Sequence, residues 1–193
     1  MYAQDYDENL VLTSYSPDPT VGTSNSWTNR CQPYIKNRNV FRCPSDQSTD
    51  WVETDAETLT AGTTKKKMTS YLLNAYMAGS QQWGNLALVK SPASVIYVSE
   101  ASEAISPRDH FHPFNWNGNL EIPTPNPLYS SYMNGVTWSA AKQQTVELAL
   151  ARHNGGFNSV YLDGHSKWNK WSQVWYQKPE QGVWQGSFDP RQP

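Results

Sequence analysis

Apolar positions in this chain fall into short runs set between long polar stretches. Tyr2, Tyr6 and Leu10, with Ala3 beside them, recur at helical spacing, so residues 1–10 read as the end of a helix whose beginning is missing. Residues 13–30 are rich in turn formers, and 31–46 suit one helical turn and a short extended piece. "MTSYLLNAYMAG" (68–79) has strand character, and Val95 to Glu100 is the clearest strand, being rich in β-branched residues. Residues 143–151 fit a strand or a helix. Asn158–Leu162 and His165–Asn169 predict a hairpin around Asp163-Gly164, a dipeptide that tolerates the positive φ of a two-residue turn. Between these runs, residues 106–137 hold five prolines and read as one long insertion; the tail, 172–193, is rich in Trp and Gln without a clear period.

Composition narrows the picture. A chain of 193 residues points to a single domain spanning 1–193, and a net charge of −2 gives nucleic-acid binding no electrostatic footprint. The one basic run, Lys65-Lys66-Lys67, reads as a solvated loop. No apolar stretch is long enough to span a membrane. Nine Trp and eleven Tyr in a polar, weakly charged chain suit an extracellular or cell-surface protein with aromatic contact surfaces. The two cysteines, Cys31 and Cys43, have eleven residues between them, and a disulfide joining them fits the same setting; two reduced, buried thiols are the other reading.

Several residues carry candidate chemistry. His153 stands at the start of the strand that ends at Asp163, so extended backbone of roughly 17 Å separates the two and argues against a direct catalytic pair. If Val95–Glu100 runs antiparallel to Asn158–Leu162, Glu100 falls near Asn158 and His153, where a hydrogen bond would fasten the strand. Asp109, His110 and His112 form an H-x-H pattern that could hold zinc with His165 or an acid. Asp46, Ser48 and Asp50 alternate after Cys43-Pro44, a spacing that lets oxygen donors converge on calcium, though the glycine and closing glutamate of an EF-hand are missing. Nucleophilic catalysis has little support: no G-x-S-x-G elbow occurs, and both cysteines read as oxidised.

His153, nine residues, then Asp163-Gly164-His165 and Lys167-Trp168 resemble the signature of the prepilin-type H-x9-DG proteins, which are type IV pilin-like and pseudopilin-like secreted proteins. "MYAQDYDENL", "QPYIKNRNVFRCPSD", "TSYLLNAYMAG" and "SPASVIYVSE" resemble further pieces of that family in the same order, over roughly residues 1–170. The resemblance implies an α+β, pilin-like fold: a helix end packed on an antiparallel sheet, with long loop insertions. It implies a structural, non-enzymatic role as the subunit of a filament, tube or pseudopilus, assembled by contacts between copies of the chain. A structural calcium in a loop also fits the family. A secreted carbohydrate- or surface-binding module with an aromatic platform is the second reading, and a metal-dependent hydrolase is the third.

Overall fold

The computed structural model describes residues 2–11, 26–49, 51, 67–77, 83–103, 109–113, 147–178 and 183–191. Its centre is a five-stranded sheet in the order β3-β1-β2-β4-β5, built from β1 (Tyr71–Asn74), β2 (Ile96–Glu100), β3 (His110–Phe111), β4 (Phe157–Tyr161) and β5 (Ser166–Asn169). β1, β2, β4 and β5 pair antiparallel, whereas β3 runs parallel to β1, with Leu73 opposite His110. The sheet is therefore mixed, which corrects the all-antiparallel expectation. Leu73 and Ala75 each donate a backbone hydrogen bond to this added strand, at Asp109 and Phe111.

The helix remnant is corrected too. Every described α-helix is a single four-residue turn: α1 (Tyr2–Asp5), α2 (Trp27–Arg30), α3 (Gln32–Ile35) and α4 (Trp171–Val174). α1 stops because Asp7 and Glu8 take left-handed φ values of 52° and 63°, and the chain then bonds across to Gly84 and Leu86. The ends of α2 and α3 are set locally: the Ser26 side chain accepts from the Asn29 amide, and Lys36 closes α3 at φ 56°.

One face of the sheet packs on a core of Leu72, Ile96, Phe111, Leu148, Phe157, Tyr161, Trp175 and Phe188. The last two come from the tail. Residues expected to be irregular form α4 and a hairpin of β6 (Trp175–Lys178) and β7 (Val183–Gly186). On the opposite face, Leu73 packs with Val11, Trp27 and Phe41, and Tyr71 and Val98 lie against them. The polar Asn74 is buried beneath the sheet, where its amide donates to the Ile96 and Phe188 carbonyls at 2.9 and 2.7 Å.

The hairpin between β4 and β5 also differs from expectation. Val160 pairs with Ser166, and Gly164 N–H donates to Tyr161 O, so three residues rather than two make the loop. Only Gly164, at φ 93°, is left-handed there, the pattern of a three-residue loop closed by a glycine bulge. Of the 106–137 insertion, only 109–113 lie within the described residues.

Candidate metal centre

Three segments far apart in sequence meet at the end of β2. Cys43 follows a 3-10 turn (Arg38–Phe41), and its amide is pinned to Ser70 Oγ at 2.9 Å, just before β1. Glu100 is the last residue of β2. From Glu100 onward that edge of β2 passes to residues 147–149, with Glu100 O accepting from the Ala149 amide and Ser102 N–H donating to Glu147 O, so the β2–β4 ladder ends at the Ser99–Ser159 pair. One residue beyond, the Asn158 amide donates to Glu100 Oε2 at 3.2 Å. His153 reaches the same place through a reversal. Asn154 and Gly155 have φ values of 52° and 76°, and His153 and Gly156 exchange backbone hydrogen bonds at 2.9 and 3.1 Å. Positive φ at both central residues marks a type I′ turn, for which Asn-Gly is the preferred sequence.

The three side chains converge. His153 Nε2 lies 2.7 Å from Glu100 Oε1 and 3.5 Å from Cys43 Sγ. One ligand atom from each residue lies within 4.8 Å of the others. Glu100 is 1% exposed and Cys43 is buried, while the His153 side chain is 28% exposed, so the cluster opens to solvent on the imidazole side. Burial, with nearby Cys43 and Glu100 adding to it, pushes the Tyr71 phenol up to about 12, so it stays protonated. The Trp168 indole N–H donates to the His153 carbonyl at 2.7 Å and holds the turn against β5.

The arrangement discriminates between two chemistries. A relay of thiol, imidazole and carboxylate divides its partners between the two ring nitrogens, one for the nucleophile and one for the orienting acid. Here thiol and carboxylate face the same nitrogen. Convergence of N, O and S atoms on one point is what a metal requires. Tetrahedral zinc, at about 2.0–2.3 Å from each ligand, sets ligand atoms roughly 3.3–3.6 Å apart. The Cys43–His153 separation already falls there. The Glu100–His153 contact is a hydrogen bond and opens by roughly half an ångström when a metal replaces the proton.

A buried ion cluster borders the site. Asp46 Oδ2 lies 2.7 Å from Lys67 Nζ and 3.6 Å from Arg152, and the three side chains are 0%, 6% and 4% exposed. Burial pushes the Asp46 carboxyl up, but hydrogen bonds from Lys67, Ser48 and Ser70 together outweigh it and hold the group below its usual range. Burial lowers Lys67, against the opposing pull of Asp46. Lys67 is thus an interior cation rather than part of a solvated loop. In the calcium candidate, Asp46 Oδ1 accepts from the Ser48 amide and hydroxyl, and Oδ2 is turned to Lys67; Asp50 lies outside the described residues.

The remaining candidates lie apart. Asp109 Oδ1 is 2.7 Å from His110 Nδ1, and Glu147 Oε1 is 2.7 Å from His112 Nδ1. The two rings pack edge to face at 4.6 Å. His165 sits on the exposed hairpin, stacked on Tyr161, with Nδ1 2.6 Å from Asp163. The His165 amide, with the ring contact adding to it, holds Asp163 below its usual range. Asp163 and Gly164 shape the β4–β5 loop at the far end of β4 from His153.

Two expectations are overturned here. Cys31 and Cys43 are both free thiols, and Cys43 turns its sulfur to His153 and Glu100 instead of Cys31, so there is no disulfide between them. Cys43, Glu100 and His153 bring a thiol, a carboxylate and an imidazole to one point, and that cluster argues against both the purely structural role and the assignment as a non-enzyme. Among the described residues no helix is long and apolar enough to cross a membrane. Comparison with protein-family models, with curated proteins and with solved structures finds no match to this chain.

Proposed function

We propose that the protein binds one divalent transition metal, zinc by preference, through Cys43 Sγ, Glu100 Oε1 and His153 Nε2, and uses it for hydrolytic chemistry. The observation that carries this reading is the convergence of the three ligand atoms within 4.8 Å. Thiolate and imidazole select a borderline-soft ion such as zinc over calcium or magnesium. Three protein ligands with a fourth position toward solvent is the pattern of catalytic zinc sites, where bound water becomes acidic enough to act as a nucleophile near neutral pH. The outer contacts support the role. The Asn158 amide reserves Glu100 Oε2, and Trp168 anchors the His153 backbone. Kinship with the H-x9-DG proteins is a separate proposal, resting on the order of motifs alone.

Calorimetric zinc titration in two buffers of different ionisation enthalpy tests the site. Zinc must displace the thiol proton of Cys43, so binding at one ion per chain with proton release is expected. Nitrophenyl acetate hydrolysis that falls on chelation and returns with zinc tests the chemistry. Absence of saturable zinc binding would remove the reading.

A further inference from the structure

The sheet register sets four residues in a row across the face that carries the candidate centre. Tyr71 on β1 pairs with Glu100 on β2, Glu100 holds the Asn158 amide of β4, and Asn158 pairs with Trp168 on β5. Cross-strand partners share a face, so Tyr71, Glu100, Asn158 and Trp168 line one surface. The row ends differently on its two sides. Tyr71 is packed toward Val11, Trp27, Phe41 and Leu73. Asn158 and Trp168 are exposed, and Trp168, at 39%, is among the exposed large apolar side chains of the described residues.

This indole is held rigidly. Its Nε1 donates to the His153 carbonyl, and the Gly156 backbone lies so close to its ring that a β-carbon there would overlap Cε2 and Cζ2. A fixed, half-exposed ring therefore stands on the backbone that carries His153. The other exposed side chains of this face of β4 and β5 are Asn158 and Ser166, an amide and a hydroxyl; Lys167 alternates to the opposite face. From Trp168 to Glu100 is two strand spacings, roughly 10 Å.

We propose that this row is a binding platform for a neutral oligosaccharide, with one sugar ring stacked on Trp168, hydroxyls bonded by Asn158 and Ser166, and a sugar oxygen turned to the open side of the metal centre. The absence of charge among these exposed side chains selects against anionic and cationic ligands. A rigid aromatic face beside neutral donors and acceptors matches a polyhydroxylated ring, whose C–H faces are apolar and whose rim is polar. The platform deepens the hydrolytic reading by naming the substrate class, and its last element, the oxygen on the metal, rests on that reading.

The test is calorimetric titration of the whole chain, zinc-loaded and zinc-free, with cellotriose and with tri-N-acetylchitotriose. The wild type is expected to bind at least one of them, and more tightly with zinc. Trp168→Ala should weaken binding about tenfold or more and Trp168→Phe less, since the ring carries the stacking. Asn158→Ala removes only an exposed side chain and keeps the amide that holds Glu100. It should weaken sugar binding several-fold. Failure of the zinc-loaded wild type to bind either trisaccharide would overturn the platform, as would undiminished binding by both Trp168→Ala and Asn158→Ala. Sugar binding that depends on Trp168 in a protein that takes no zinc would uphold the platform and remove the metal reading instead.

Discussion

Replacing Asp46 by Asn isolates one charge in the ion cluster beside the candidate centre. The amide keeps an oxygen for the Ser48 amide and hydroxyl, and nearly the same volume, so packing is conserved. What disappears is the negative partner of two buried cations, Lys67 at 2.7 Å and Arg152 at 3.6 Å. Breaking a buried pair by removing one partner costs about 3–5 kcal/mol, because the remaining charge is left uncompensated. Lys67 keeps the weaker attraction of Glu103, so this variant falls within that range rather than above it. For a chain of this size that is a fall in melting temperature of roughly 10 °C. The pH dependence has a definite sign. Asp46 sits below its usual range in the folded protein, so its contribution is fully present above the ordinary carboxylate value of about 4 and is lost as pH falls through the lowered folded value. Urea unfolding of both proteins should therefore show a constant gap from about pH 5 to 8 that closes on further acidification. A gap below about 1 kcal/mol at neutral pH, or one that persists undiminished at the lowest accessible pH, would refute the reasoning.

Gly156→Ala should destabilise by about 1–3 kcal/mol and weaken zinc binding, since its β-carbon would overlap the Trp168 ring and lie 2.5 Å from the Asn169 carbonyl; thermal melting and zinc titration check both. Gly164→Val should lower stability by about 1–2 kcal/mol through backbone strain alone, because φ is 93° and the space around the site is open; a neutral result in chemical denaturation would count against the bulge. Denatured protein should release two titratable thiols per chain without reductant, and in the native state half-buried Cys31 should react before buried Cys43. Intact mass unchanged by reduction is the companion observation.

The sequence made parts of this architecture readable. The β-branched run through Val95 and the alternation around Val160 marked β2 and β4, and reading them antiparallel set Glu100 beside Asn158. Other parts depended on competing local signals. Two Gly-containing turns flank β4, and Asn154-Gly155, not Asp163-Gly164, takes the tight two-residue form. That turn brings His153 back to the sheet. Cys43 was hidden because its site partners are 57 and 110 residues away, and a nearer cysteine offered a simpler use for it. Lys67 read as surface because nothing local shows that Asp46 and Ser48 wait for it in the interior. The tail has no period because α4, β6 and β7 are each only four residues long, too short for one to show.

Titration with cobalt(II), followed by absorption spectroscopy, tests the central claim most directly, because the spectrum reports both ligand type and geometry. The account predicts saturation at one ion per chain, with a near-ultraviolet thiolate-to-metal band and visible bands of four-coordinate cobalt. Zinc should displace them. Cys43→Ser should abolish the thiolate band, and Glu100→Gln and His153→Ala should each weaken binding about tenfold or more. A featureless titration, or a spectrum that survives both Cys43→Ser and His153→Ala, would contradict it.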